Sequence, residues 1–140
     1  MVISPNMEFD AWMMRGIQKM VRSHRDLMVW GLAMDLTVEV YKLAKVLPKD
    51  ELCRLTAQVT RAAVSVPANI AEGNGRGSRR EYAHFCSVAK GSLMESETLV
   101  MLMERSSYVS SQQTSVVHEL IQRVSKMSTS LRARLLDSPN

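Results

Sequence analysis

The chain has 140 residues, 46% of them hydrophobic and 23% charged, with a formal net charge of +4. That length suits one domain around one core, and no apolar run reaches the roughly 18 residues of a membrane span. Glu8 and Asp10 stand where a secretory leader needs positive charge, and two cysteines, Cys53 and Cys86, make neither a disulfide framework nor a metal quartet, so the expectation is a soluble, cytoplasmic protein without a cofactor.

Punctuation is sparse: six Gly and four Pro in all, three of the Gly between positions 73 and 77. Few breaks mean long elements, and eleven Met against two Phe suit a helical core. Residues 1–22 form an N-terminal extension in which Phe9, Trp12, Met13, Ile17 and Met20 have the spacing of a short amphipathic helix. The first strong helix runs from about Asp26 to Leu47 and ends at Pro48. It carries two apolar stripes. Trp30, Ala33, Met34, Thr37, Tyr41 and Ala44 make one, and Val29, Leu32, Leu36, Val40, Leu43 and Leu47 the other. Two stripes imply burial on two sides, and Val29, Leu32, Leu36, Val40 and Leu43 are assigned to contact with another subunit.

The second helix is expected to start at an N-cap on Asp50, with Leu52, Leu55, Val59, Ala62, Ala63, Val66 and Ile70 on its buried face. Pro67 removes one backbone hydrogen bond inside it and kinks it. Asn69 is expected to bond backbone freed by that kink, and Glu72 to pair with Arg61 or Arg76. Gly73 suits a left-handed position at the helix end. Ser78-Arg79-Arg80-Glu81 reads as a capping box, opening a third helix of roughly 40 Å. Its core face is Tyr82, Phe85, Cys86, Ala89, Leu93, Ser96, Val100 and Met103. Ser106 to Gln112 is a turn, and Val117, Leu120, Ile121, Val124, Met127, Leu131 and Leu135 mark the fourth helix, before a tail over 137–140. Short connections predict an all-α, up-down-up-down antiparallel four-helix bundle over residues 23–136.

Charge is unevenly placed. Residues 76–90 hold Arg76, Arg79, Arg80 and Lys90 against Glu81 alone, and Arg123, Lys126, Arg132 and Arg134 have no acid among them. Basic patches attract phosphate backbones or acidic proteins. The turn Gly73–Ser78 lacks the Lys-Ser/Thr of a nucleotide-binding loop and follows a helix rather than a strand. It does precede a helix N-terminus, where backbone N–H groups favour anions.

The stretches Asp26-Leu27-Met28-Val29-Trp30 and Ala33-Met34-Asp35-Leu36, then Gln58 through Gly73, then Gly75-Arg76, Ser78, Glu81, Phe85, Ala89 and Gly91-Ser92-Leu93-Met94-Glu95 resemble the four-helix-bundle family of 23S rRNA intervening-sequence proteins. The run Asn69-Ile70-Ala71-Glu72-Gly73 is the most distinctive part, and the likeness covers about residues 24–134. The resemblance implies a closed up-down bundle that assembles into a ring-like homopentamer. It also implies kinship with accessory proteins of diversity-generating retroelements, pentamers that work with a reverse transcriptase and RNA. Within the matched pattern, Pro67, Asn69, Glu72, Gly73, Ser78 and Glu81 are structural. Arg105-Ser106-Ser107-Tyr108 departs from the Leu-Gly-Tyr type of turn common there.

Other constellations are weak. Glu81 and His84 share a helical face, but di-iron bundles need two such pairs and two further Glu, so no metal site is expected. Cys86 and His84 diverge by about 200° on a helix and make no nucleophile–base pair. The aromatic residues are too scattered for a base-stacking platform. The expected function is a non-enzymatic, self-assembling bundle that binds nucleic acid, RNA first, through Arg76, Arg79, Arg80, Lys90 and Arg61 together with the C-terminal basic stripe. The alternative is a scaffold for an unidentified protein partner, without direct nucleic-acid contact.

Overall fold

The computed structural model of the protein describes residues 24–137. Residues 1–22, where an amphipathic segment was expected, and the last three residues lie outside the described residues. Four α-helices account for most of the rest: α1 (His24–Ala44), α2 (Ala57–Gly75), α3 (Arg79–Arg105) and α4 (Ser111–Asp137). No strand occurs among the described residues.

Residue pairs across the seams show how the helices run. Thr37 meets Ala63, Ser65 meets Ser92, and Arg79, Lys90 and Glu104 meet Arg134, Thr129 and Thr114 in turn. Numbers rise on α3 as they fall on α4, so those two are antiparallel. Helices α1 and α3 each pack against both α2 and α4 and stand at opposite corners. The core between them is aliphatic, with Leu36, Val40, Val59, Val66, Ile70, Leu93, Val100, Ile121 and Val124 all but inaccessible to water. Each such side chain contributes about 1.5–3 kcal/mol on burial.

The orientation of α1 corrects the sequence expectation. Val29, Leu36, Val40 and Leu43 are buried inside the subunit, and Leu32 is half-buried against the same core. They are the bundle face of the helix and leave no surface for a neighbouring copy. Periodicity reveals two stripes but cannot say which one turns inward. The neighbours decide that, and the outer stripe is Leu27, Met34, Val38 and Tyr41. One polar contact holds the rotation. Pro67 has no N–H, so the buried carbonyl of Ala63 lacks its helical donor. The Thr37 hydroxyl reaches across from α1 to that carbonyl at 3.1 Å, sharing its proton with the Ala33 carbonyl at 2.8 Å.

The start of the second helix also differs. A 3₁₀ turn (Lys49–Glu51) and one π-type turn (Leu52–Thr56) precede α2, with Arg54 in a non-helical conformation. The cap is Glu51 rather than Asp50: its carboxylate accepts from the Leu55 N–H at 3.3 Å. Asn69 donates to the Ser65 carbonyl at 2.7 Å and to its hydroxyl at 2.8 Å, not to the carbonyl that Pro67 frees. The Ser65 hydroxyl in turn meets Ser92 of α3 at 2.8 Å, which makes a polar clasp between α2 and α3.

Gly73 does not end its helix, which continues to Gly75, and the left-handed turn residue is Gly77 at φ +88°. Gly73 serves close approach instead. A Cβ there would lie 2.7 Å from the Phe85 Cβ and 3.3 Å from the Tyr82 Cα, distances that only a shift of α3 relieves. At the opposite end, the Ser107 N–H bonds the Glu104 carbonyl and the Tyr108 N–H bonds the Met103 carbonyl, both at 3.0 Å. This is a Schellman ending, and Ser107 sits at its left-handed position with φ 62°. That is the residue standing where the resembled family's turn has glycine. The α4 N-terminus is held by a second capping box that the sequence reading passed over. Ser110 Oγ accepts from the Gln113 N–H at 3.2 Å, and Gln113 Oε1 accepts from the Ser110 N–H at 2.8 Å.

Two outcomes follow for thermal unfolding. Gly73→Ala lowers stability by about 1–3 kcal/mol through overpacking of the α2–α3 contact. Ser107→Gly raises it by about 1 kcal/mol, a melting point higher by roughly 3–4 °C, because glycine removes the left-handed strain. Circular dichroism melts of the two variants beside the wild type check both.

Candidate nucleic-acid interface

The turn between α2 and α3 brings Arg76, Arg79 and Arg80 to one end of the bundle. Ser78 caps α3, its hydroxyl accepting from the Glu81 N–H at 3.0 Å. The three arginines have different occupations. Arg76 pairs with Glu72 at 2.8 Å and its guanidinium lies 5.0 Å from the centre of the Phe85 ring. This settles the partner of Glu72 as Arg76 rather than Arg61. Both members of the pair are exposed, so it adds little stability. Arg79 is half-buried and donates from Nη2 to the Arg134 carbonyl at 3.1 Å. That carbonyl is in the last described turn of α4, so Arg79 ties this part of α4 to the start of α3. Arg80 is exposed.

The larger concentration of positive charge is on α4 itself. Arg123, Lys126 and Arg132 are exposed and Arg134 is half-buried, with no acid between positions 120 and 136. Lys90 of α3 donates to the Thr129 hydroxyl at 3.1 Å. Lys90 and Arg132 line a hollow of about 130 Å³ with Ser87, Ser128 and Thr129. On the other side of α4, Lys126 and Arg134 line a groove of about 360 Å³ with Met28, Met127 and Ser130. There the Arg134 guanidinium stands 3.9 Å from the buried Asp26 carboxylate. The fold thus gathers Arg79, Lys90, Lys126, Arg132 and Arg134 around α4. Arg61 is not among them: it is exposed on α2, diagonally across the bundle. Arg76 and Arg80 sit at the end of the assembly of charge rather than along it.

Hydroxyls and long cations around a helix can take phosphate oxygens. Cys86, at the floor of the smaller hollow, is buried, and burial first and the Asp26 charge second push its thiol up to about 11. It is protonated at neutral pH and unreactive. His84 packs edge-on to Phe85, their centres 5.5 Å apart. No group of three His, Cys, Asp or Glu able to hold a metal occurs among the described residues.

Sequence spacing gave no sign of a polar cluster at the far end, where α3 turns into α4. Glu104 Oε1 accepts from the buried Thr114 hydroxyl and from His118 Nε2, both at 2.6 Å. The Tyr108 hydroxyl donates to Glu51 at 3.1 Å. These contacts join elements across turns, which no helical period can reveal.

A family model described as 23S rRNA-intervening sequence protein matches residues 25–130, more than half of the chain, and the chain belongs to that family. A solved structure from Bacteroides thetaiotaomicron, a protein with unknown function from the S23 ribosomal protein family, is similar in fold. Its TM-score is 0.72 at 22% identity, over 78% of this chain and 98% of that one. A search of curated proteins finds no match. The resemblance read from the Asn69–Gly73 run is therefore confirmed, and so is the all-helical four-helix architecture.

The Glu104 cluster makes stability depend on acid. The Thr114 hydroxyl, and next His118, hold the Glu104 carboxyl below its ordinary range. A depressed carboxyl stabilises the fold above the ordinary carboxylate range and loses that contribution as pH falls through its lowered folded value. Glu104→Gln is expected to cost about 1–2 kcal/mol at neutral pH. The gap from wild type should close as melts are taken into acid; a gap independent of pH would contradict the charge-based account.

Proposed function

We propose that this member of the 23S rRNA-intervening sequence protein family is a non-enzymatic, self-assembling bundle that binds the phosphate backbone of nucleic acid, RNA first. The surface it uses is the α4 face with Lys90 of α3. The observation that carries this reading is the acid-free run of Arg123, Lys126, Arg132 and Arg134, which Lys90 joins through Thr129. Backbone binding needs cations and hydroxyl donors along a surface and no base-specific pocket. The homopentamer implied by the family resemblance belongs to this proposal, since copies in a ring multiply a modest patch into a strong field at low salt. A cytoplasmic setting suits a chain whose cysteines, one exposed and one buried, are both free.

The second reading, a scaffold for a protein partner, draws support from exposed apolar side chains on α1 and α3, among them Val38, Tyr41, Met101 and Leu102. Nuclease treatment before a pull-down separates the two, because a partner bridged by RNA is lost and a directly bound protein is kept.

Titrating single-stranded RNA at two salt concentrations tests the first reading. The triple variant Arg123→Ala/Lys126→Ala/Arg132→Ala is expected to bind more weakly and to flatten the salt slope by roughly 2, at about 0.7 per lost phosphate contact. Arg61→Ala, remote from α4, is expected to bind like the wild type. No binding at low salt, or a triple variant with an unchanged slope, overturns the proposal.

A further inference from the structure

We infer that the hollow between α3 and α4 receives a single phosphate monoester, the group carried by a phosphorylated RNA end or by a small phosphate compound. The inference rests on the phosphate-binding reading above and assigns a place where a phosphate sinks between helices rather than lying on them. The hollow has a volume of about 130 Å³ and is lined by Cys86, Ser87 and Lys90 of α3 and by Ser128, Thr129 and Arg132 of α4. Cys86, Ser87, Ser128 and Thr129 are small, and small side chains facing each other across a helix pair leave space that larger ones would fill. Lys90 and Arg132 are long cations, and no acid lines the hollow.

Ser128 is the residue that calls for a ligand. The buried Ser and Thr among the described residues are Ser96, Thr114 and Ser128, the last only 3% exposed. Ser96 donates to the Ser92 carbonyl and Thr114 to the Glu104 carboxylate. The Ser128 hydroxyl bonds no other described residue, neither the carbonyl one turn back nor a group of α3. A buried hydroxyl is disfavoured without a partner, and this one belongs to the wall of the hollow. The cations meet it there. Lys90 uses one of its three N–H donors on Thr129 at 3.1 Å and keeps two. Arg132 is exposed and paired with no acid among the described residues. Its charge is felt at the floor, where it opposes the burial and the Asp26 charge that raise the Cys86 thiol.

Donors and size select the ligand. Three hydroxyls and two cations without an acid match an oxyanion and repel a metal ion. No aromatic ring lines the hollow for a base to stack on. The volume is that of about four water molecules, room for a phosphorus and its oxygens but not for a sugar or a base. Two cations suit the charge of a phosphate monoester, between about −1.5 and −2 at neutral pH. A backbone diester carries a single charge, and its two bridging oxygens lead to sugars on both sides. A monoester has one such link, so it enters end-on while the rest of an RNA chain lies along α4.

Ribo-oligonucleotides of one sequence, with a 5′-phosphate, a 3′-phosphate or hydroxyl ends, are titrated into the full chain. The wild type is expected to bind a phosphorylated end about tenfold more tightly than the hydroxyl form. Ser128→Ala, which changes no charge and suits a helix, is expected to lose most of that preference, and Ser87→Glu, which sets a carboxylate at the mouth, all of it. Lys126→Ala, outside the hollow, is expected to weaken both RNAs alike and keep the ratio. Melting in inorganic phosphate, against chloride at matched ionic strength, gives a readout without RNA, in which the wild type gains more than Ser128→Ala. That gain without a preference for phosphorylated ends assigns the hollow to a small phosphate compound, and the preference without the gain assigns it to an RNA end. Equal binding of all ends together with equal gains in phosphate overturns the inference and leaves backbone binding standing, as does an end preference that Ser128→Ala leaves intact. A phosphate gain with no RNA binding at low salt overturns the backbone reading alone.

Discussion

The Thr37 hydroxyl, placed against the carbonyl that Pro67 leaves without a donor, sets the rotation of α1 in the bundle. A buried carbonyl without a partner costs about 1–3 kcal/mol, so the helix that can supply a hydroxyl is held to one orientation. With Thr37 turned toward α2, Val29, Ala33, Leu36 and Val40 point into the core. Leu27, Met34, Val38 and Tyr41 are left outside. Other rotations would bury Met and Tyr and strand the small aliphatic residues that fit between four close helices. The outer surface of the subunit follows from that one choice.

Among the described helices, α2 and α3 share the most extensive seam. Gly73 lets α3 approach until a methyl group would not fit beside Phe85. The Ser65–Ser92 and Asn69–Ser65 bonds hold the same seam farther along. The distinctive run from Ser65 to Gly73 is therefore explained by packing: proline, asparagine and glycine in it each answer a local geometric demand. This close seam brings the start of α3 beside the end of α4, where Arg79 reaches the Arg134 carbonyl.

The four outer faces of the bundle differ in kind. That of α1 is apolar in large part, that of α3 mixes Val88, Met94, Met101 and Leu102 with Arg80, Lys90, Glu95 and Arg105, that of α4 is basic, and that of α2 carries Arg61 and Glu72 among small and polar residues.

Much of this was legible from residue order. Helical period, the capping box at Ser78-Glu81 and the scarcity of breaks indicate four helices, because a helix repeats every 3.6 residues whatever surrounds it. The family could be read from the Asn69–Gly73 run, and the Ser110–Gln113 cap was equally visible in its spacing. Period alone could not choose between the stripes of α1, so the residues assigned to an interface proved to be core. It could not show that Gly73 serves close approach rather than a helix end, or that Lys90 would meet Thr129 and leave Arg61 on the far side. Those facts depend on which helix lies beside which. Local chemistry is written along the chain, and the partners of each side chain are settled only when distant segments pack.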